Sequence, residues 1–215
     1  MRILFAACTA IALASSAQAI TVINGSFENG INPAGSTYVA TGDATSITGW
    51  TVLAQGVDYV DSSIWDAARG SRSVDLSGLT SGGILQTVAG FTIGKIYRVR
   101  VDVSANPFDP LPRPRGKQLL ISTSQNTPLN STYILTSANS PNNMLYETVE
   151  YQFTANRTSM PIRLQSRENN AFGVVIDNVR VSAVPEMSTW ILLCGGMGMI
   201  GLSLRRRDAN VAVAA

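Results

Sequence analysis

Short runs in which hydrophobic and polar residues alternate recur along most of the chain. In the clearest run, residues 96–104, the side chains of Tyr97, Val99 and Val101 fall on one face, and charged or polar side chains fall on the other. A period of two residues is typical of a β-strand with one buried face. We therefore predict this strand and nine others, at residues 49–53, 57–60, 73–76, 83–88, 118–123, 132–135, 145–154, 160–165 and 174–181.

Helix signals are nearly absent between residues 20 and 183, because Gly, Pro, Ser, Thr and Asn interrupt most stretches. Ten short strands separated by such turn residues favour an all-β fold, an antiparallel sandwich, and among sandwiches we expect a jelly roll. Residues 20–183 have the length of one domain. The segment 106–117 contains four prolines and is predicted as a loop, because proline cannot continue a sheet ladder.

Residues 1–19 have the pattern of a secretory signal peptide. Arg2 is followed by an apolar run, and Ala17 and Ala19 form a small-x-small site that places cleavage after Ala19. A lipoprotein interpretation of Cys8 is rejected, because cleavage there would leave too short an apolar segment. The expected mature chain begins at Ile20, and signal peptidase is an expected partner.

The C-terminal region has the pattern of a membrane segment. Residues 190–204 are apolar and uncharged, and Arg205, Arg206 and Arg207 follow directly. The eighteen uncharged residues between Glu186 and Arg205 would form about 27 Å of helix, which spans a bilayer core if the arginines reach the headgroups. The arginines predict a cytoplasmic end and an outward-facing domain. The alternative, a buried core helix, typically lacks such a basic stop.

The whole tail resembles the PEP-CTERM sorting signal. The matching parts are the motif that begins with Pro185 and Glu186, the apolar segment, and the arginines at 205–207, while Met187 stands where the second proline is usual. The resemblance implies recognition by an exosortase, in a Gram-negative bacterium that makes exopolysaccharide. We assign residues 184–207 to this signal and 208–215 to a disordered tail.

Composition excludes several function classes. The two targeting ends account for the net charge of +2, because residues 20–184 hold twelve basic and twelve acidic side chains. The charge therefore gives no support to nucleic-acid binding. Cys8 and Cys194 both lie in targeting segments, and the chain has no histidine. Disulfides, Cys or His catalysis and zinc sites built on these residues are thus excluded for the domain.

Several spaced blocks of the domain together resemble the choice-of-anchor C family, which is similar to galactose-binding-like jelly rolls and carbohydrate-binding modules. The blocks are residues 24–28, 47–52, 57–60, 70–76, 86–88, 142–144 and 176–179. The resemblance implies a structural calcium ion held by Glu28 and Asp177. Carboxylates suit such a hard cation, and both residues sit beside apolar strand positions. The alternative is that each carboxylate caps a turn or pairs with an arginine.

Sugar binding requires exposed aromatic rings and polar partners. Tyr59 and Trp65 are the candidate rings, whereas Trp50 is assigned to the core because it lies inside a strand block. Arg113 and Arg115, together with the lysine at 117, could bind an acidic polysaccharide or could form a solvated loop.

We interpret the chain as an exported, non-enzymatic surface or matrix protein that engages polysaccharide. A purely structural or adhesive envelope protein is the alternative. A glycan-active hydrolase is the third reading, since a carboxylate pair could serve catalysis. Its candidates are Asp58, Asp61, Asp66 and Asp75, and their spacing selects no pair.

Overall fold

The structure is a computed structural model that describes residues 20–124 and 126–185. These residues form eleven strands and no helix, and hence no helix long and apolar enough to cross a membrane. The strands are β1 (Ser36–Val39), β2 (Thr51–Ala54), β3 (Val57–Asp61), β4 (Arg72–Asp75), β5 (Gly82–Ala89), β6 (Ile96–Ala105), β7 (Arg115–Thr123), β8 (Leu129–Leu135), β9 (Glu147–Thr154), β10 (Ser159–Ser166) and β11 (Val174–Ala183).

The strands form two antiparallel sheets. The six-stranded sheet has the order β1-β3-β4-β11-β6-β9, and the five-stranded sheet has the order β2-β5-β10-β7-β8. The predicted all-β sandwich is therefore confirmed. The predicted C-terminal transmembrane helix lies outside the described residues.

The main core lies between the two sheets. It is built by alternate residues of nearly every strand, among them Val99 and Val101 of β6 and Ile162 and Leu164 of β10. A second, smaller apolar cluster lies on the outer face of the six-stranded sheet, where loops cover it; its members are Val60, Trp65, Met144 and Val175. One outer face of the sandwich is thus partly buried.

The ten predicted strands all overlap observed strands, but one strand was missed, and the start of another differs for a physical reason. Strand β1 was missed because it is an edge strand of four residues, too short for its alternation to be recognised in the sequence. Strand β7 begins at Arg115, three residues earlier than predicted, because Lys117 occupies a fully buried position. A pattern of hydrophobic and polar residues cannot identify an inward-facing lysine.

Strand β11 lies in the middle of the six-stranded sheet and pairs with β4 and β6. Its register with β6 shifts between Asp177 and Arg180, and Asn178 adopts a positive φ of 52°. Such a bulge bends the strand and changes the direction of nearby side chains. It is next to one of the two residues predicted to bind calcium.

Candidate functional site

The N-terminal segment forms a compact turn that places Glu28. The side chain of Asn24 accepts a hydrogen bond from Asn29 N and donates to the carbonyl oxygen of Asn29, while Phe27 is fully buried. The turn docks on β11, since Val179 N donates to Gly25 O at 2.7 Å. A Cβ atom at Gly25 would lie 2.1 Å from Val179 O, so this approach requires glycine.

Glu28 and Asp177 converge on the same segment, residues 69–72 of the β3–β4 loop. Glu28 accepts hydrogen bonds from Ser71 N, Ser71 Oγ and Arg72 N at 2.8–2.9 Å. Asp177 Oδ2 accepts from Arg69 N at 2.7 Å, and its Oδ1 accepts from Asn178 N. A Cβ at Gly70 would meet the Glu28 carboxylate at 2.5 Å. The turn-capping alternative therefore describes part of what these carboxylates do.

The electrostatics of this pair suit a cation. Burial raises the pKa of Asp177 to about 7, and the negative charge of Glu28 adds to that rise, against the hydrogen bonds from Arg69 and Asn178. Within the described residues, neither carboxylate forms a salt bridge. The same part of the chain contains no cluster of three Asp, Glu, His or Cys residues. Carbonyl or amide oxygens would have to complete a calcium site, which is ordinary calcium chemistry.

The structure does not support Tyr59 and Trp65 as stacking surfaces. Tyr59 is fully buried, donates to the carbonyl oxygen of Phe27 and accepts from Arg72 Nη1 at 3.0 Å. Trp65 is 4% exposed, and its indole donates to Ser73 Oγ at 2.8 Å. Both rings fill space between polypeptide segments, and a sugar could not reach either face. Trp50 is in the core, as predicted.

The cationic side chains of the proline-rich loop are bound internally. Arg113 donates to the carbonyl oxygens of Thr136 and Asn139, at 3.0 and 3.1 Å, and to that of Pro107. Arg115 forms ion pairs with Asp109 at 3.3 Å and with Glu168 at 3.8 Å. The expectation that Arg113 and Arg115 contact an acidic polysaccharide is therefore not supported, because both fix the loop to the domain.

Lys117 holds the centre of the same ion-pair network. Its side chain is fully buried, and Nζ lies 2.6 Å from Asp109 Oδ2 and 3.5 Å from Glu168 Oε2. It also donates to the carbonyl oxygen of Phe172. Burial tends to raise the pKa of Asp109, but the hydrogen bond from Lys117 and its positive charge hold that pKa below the ordinary value.

Hydrogen bonds connect three loops, residues 62–71, 106–114 and 136–146, into one surface that we call the loop platform. Asp66 N donates to Pro141 O at 2.8 Å, and Arg113 connects the second loop to the third. Phe108 lies on this platform with its ring centroid 6.2 Å from that of Trp65, and it remains 52% exposed. The platform thus presents an aromatic ring that the sequence analysis did not select. An aromatic residue within a proline-rich loop was the available signal.

The structure brings two of the carboxylates considered for hydrolysis together, but it encloses one of them. Asp58 and Asp75 are register partners on β3 and β4, whereas Asp61 caps a turn by accepting from Gly35 N and Ser63 N. Asp75 is fully buried and accepts from Ser77 N, Gly173 N and Asn106 Nδ2. A carboxylate enclosed in this way cannot touch a substrate, so the paired positions do not form a glycosidase site.

The sorting residues fall mostly beyond the part of the chain that the structure describes. Pro185 is the last described residue, and it follows Val184, whose N–H donates to Ile96 O. Ala19, Glu186, Arg205, Arg206 and Arg207 lie outside the described residues. The predictions of signal cleavage and exosortase sorting stay predictions.

Known proteins with similar sequences or folds provide a further comparison. Halomucin from Haloquadratum walsbyi (strain DSM 16790 / HBSQ001) is 34% identical over 174 residues, which are 78% of this chain and 2% of halomucin. The chain therefore spans about 2% of the length of that relative.

Solved carbohydrate-binding modules have similar folds. The family 61 module TmCBM61, in complex with beta-1,4-galactotriose, is 14% identical, with 76% of this chain and 97% of that chain covered and a TM-score of 0.45. A family 35 module from Clostridium thermocellum is 12% identical, with 69% and 98% covered and a TM-score of 0.44. The CBM22-1 xylan-binding domain of Paenibacillus barcinonensis Xyn10C is 13% identical, with 70% and 94% covered and a TM-score of 0.43.

A family model matches nearly all of the described sandwich. It covers residues 20–182, from the expected mature N-terminus to the end of β11, and its description is "Protein of unknown function (DUF642)". The chain belongs to the DUF642 family.

Proposed function

We propose that this chain is an exported, non-enzymatic protein that binds polysaccharide through the loop platform around Phe108. The observation that carries the proposal is the 52% exposure of the Phe108 ring on loops that are otherwise tightly bonded. Sugar rings present an apolar C–H face, which stacks on an aromatic ring, next to hydroxyl groups that need polar partners. Exposed amides at Asn142 and Asn143 and the carboxylate of Asp66 belong to the same three loops.

The rigidity of the platform supports this proposal. Phe108 N donates to Asn106 Oδ1 at 2.9 Å, and Asn106 N donates to Gly173 O at 3.0 Å, so the base of the loop is bonded to the sheet. Arg113 fixes the loop from the other side through three carbonyl oxygens. A ring held in place before binding loses little conformational entropy when a ligand stacks on it. The arginines predicted to bind sugar thus take a supporting role.

Replacing Phe108 with alanine should lower the affinity for the preferred glycan at least tenfold, because the stacking surface is removed. A glycan array identifies that glycan, and isothermal titration measures the affinities. Tyr38→Ala is the matched control, since Tyr38 is an aromatic residue that is 44% exposed on the edge strand β1, away from the platform. We expect this variant to bind as the parent does.

Two outcomes would contradict the proposal. An equal loss in both variants would assign the effect to general destabilisation. Absence of binding to any glycan would favour the alternative, a structural or adhesive envelope protein without a specific sugar site. Release of labelled fragments from a polysaccharide would instead indicate hydrolysis, for which the enclosed Asp75 offers no accessible partner.

Export and sorting form part of the same proposal and rest on the sequence. The signal peptide pattern ending at Ala19, and the tail with Pro185, Glu186 and the three arginines, support an outer-surface or matrix destination. Signal peptidase and an exosortase are the proposed processing partners. Mass spectrometry of the mature termini tests both ends of the chain.

We also propose that Glu28 and Asp177 hold a structural calcium ion. The ion would supply positive charge to two carboxylates that clamp the first turn and the last strand onto residues 69–72. Calcium at about 100 times its dissociation constant should add roughly 2.7 kcal/mol of stability. For a domain of this size, that is a rise of about 5–10 °C in melting temperature.

Thermal unfolding in chelator and in millimolar calcium tests this proposal. Glu28→Gln and Asp177→Asn should each abolish the calcium-dependent rise, and the double variant should behave like either single one. Glu150→Gln is the control, because Glu150 is an exposed carboxylate that pairs with Arg98 and Arg100 on the same sheet. A melting temperature that calcium does not change would leave both carboxylates as caps of the β3–β4 loop.

A further inference from the structure

Carboxylates are segregated between the two sheets. The five strands of the five-stranded sheet, all within the described residues, contain no aspartate or glutamate. The six-stranded sheet contains seven, namely Asp58, Asp61, Asp75, Asp102, Glu147, Glu150 and Asp177. The neutral overall charge of the domain therefore conceals two faces of different electrostatic character.

Arg163 is the cation on the open face of the five-stranded sheet. It lies in the middle of β10, and its register partners are Leu85 of β5 and Ser122 of β7. The side chain is exposed and has no hydrogen-bond or ion-pair partner among the described residues, whereas Arg180 on the other sheet pairs with Asp102 at 3.1 Å. An arginine without a local carboxylate retains all of its donors for a ligand.

A pocket of about 180 Å³ opens beside this guanidinium. Its lining is formed by Ser122, Thr123, Ser124, Pro161 and Arg163. The hydroxyl oxygen of Ser124 is buried and has no hydrogen-bond partner within the part of the chain that the structure describes. A buried polar atom without a partner is costly, and an oxygen-rich ligand in the pocket would satisfy it. The pocket thus combines a guanidinium with hydroxyl donors, and no strand of its sheet adds a negative charge.

We propose that this pocket binds one anionic group, a carboxylate or a sulfate, carried on a polysaccharide. The planar guanidinium of Arg163 matches the two oxygens of such a group and binds them with two parallel hydrogen bonds. Ser122 and Ser124 line the same pocket, and their hydroxyls would donate to the remaining oxygen. The absence of carboxylates from the strands of this sheet prevents repulsion of an acidic polymer that lies across it.

This site is distinct from the loop platform. The pocket lies at the end of β7 that contains Thr123, while the proline-rich loop precedes Arg115 at the other end of the strand. Nine residues of extended strand separate them by roughly 27 Å. The two sites can therefore be tested independently, and loss of one leaves the other intact.

The experiment compares binding of the purified protein to three polymers with the same backbone: dextran, carboxymethyl dextran and dextran sulfate. We expect binding to at least one charged polymer, competition by inorganic sulfate, and weakening at high salt. Arg163→Ala should lower that affinity at least tenfold, and Ser124→Ala should lower it a few-fold. Arg163→Lys should restore only part of it, because an ammonium group cannot form the paired hydrogen bonds.

A matched control decides the result. Arg180→Ala removes the same charge from the six-stranded sheet and should leave binding unchanged. Equal losses for Arg163→Ala and Arg180→Ala would show diffuse electrostatic attraction and would overturn the proposal. Failure of all three polymers to bind would also overturn it, and would not affect a neutral glycan on the loop platform. Melting temperatures near that of the parent confirm that the variants fold.

Discussion

Replacing Lys117 with methionine is expected to lower the free energy of unfolding by about 3–5 kcal/mol, because it removes the fully buried cation of the network and leaves Arg115 alone to pair with two buried carboxylates. Lys117 is fully buried, and its ammonium group lies 2.6 Å from Asp109 and 3.5 Å from Glu168, both of which are nearly inaccessible. Methionine preserves much of the volume but provides no charge and no hydrogen-bond donor. Chemical denaturation at neutral pH, with fluorescence detection of the tryptophans, measures the effect.

The chain provides a matched control, because Lys95 is its one other lysine. Lys95 is exposed, and ion pairs on the surface contribute little, so Lys95→Met should change the free energy of unfolding by less than about 1 kcal/mol. A loss below about 1 kcal/mol for Lys117→Met would mean that the network is solvated in solution. Since Asp109 also accepts from Leu111 N, the variant should loosen the proline-rich loop and thereby weaken glycan binding at Phe108.

Lowering the pH from 8 to 5 in the presence of a chelator is expected to stabilise the protein by about 3 kcal/mol. Burial raises the pKa of Asp75 to about 7, and the nearby charge of Asp58 contributes to that rise. Burial also raises the pKa of Asp58 to about 6. Both carboxyls bind protons more tightly in the folded state than in the unfolded state, where the pKa is 3.8. The destabilisation caused by the two ionised carboxylates is therefore complete above pH 7 and disappears as the pH falls towards 4.

The opposite trend should begin below about pH 4. Hydrogen bonds from Ser46 and Thr45 lower the pKa of Asp43 to about 2, and hydrogen bonds from Ser63 and Gly35 lower that of Asp61. These carboxylates stabilise the folded state while ionised, and that stability is lost as the pH falls through their folded pKa values. The free energy of unfolding should consequently be highest near pH 4, as measured by denaturant titrations across the range.

Two Asp→Asn substitutions on β3 should change the free energy of unfolding in opposite directions, because one aspartate has a raised pKa and the other a lowered pKa. At pH 8, Asp58→Asn should raise the free energy of unfolding by about 1–2 kcal/mol, because it removes a half-buried charge next to Asp75. Asp61→Asn, three residues along the strand, should lower it by about 1 kcal/mol, because it weakens the cap on Gly35 and Ser63. Destabilisation by Asp58→Asn at pH 8 would mean that Asp58 has a favourable partner in solution.

The sequence was sufficient to predict most of the fold because alternation reports directly on a half-buried strand. Strand β6 shows this best, since its valines at 99, 101 and 103 all face the core as predicted. The pattern failed where a polar residue is buried or a strand lies at an edge. From the sequence alone, Lys117 is expected to face solvent. Its ion-pair partners cannot be identified there, because prolines lie between Asp109 and Lys117 and because Glu168 is far along the chain.

The candidate site was less predictable because exposure depends on which loops meet. Trp65 lies in a polar, turn-rich segment, yet the loop folds back over the six-stranded sheet and buries it against Ser73. Phe108 occupies a similar context and remains exposed. Arg163 has no partner among the residues that the structure describes, which follows from the strand order, because β10 lies between two strands without carboxylates.

The central position of β11 determines how the domain would respond to a mechanical load. The strand runs from Val174, beside the loop platform, to Ala183 at the opposite end, with β4 and β6 on its two sides. Tension between a polymer held at Phe108 and an attachment beyond Ala183 is directed along this strand. The backbone hydrogen bonds on both flanks then share the force and must break together, whereas an edge strand would peel away one bond at a time. Under the proposed attachment beyond Ala183, the pull would thus load the strand pairs of β11 in shear.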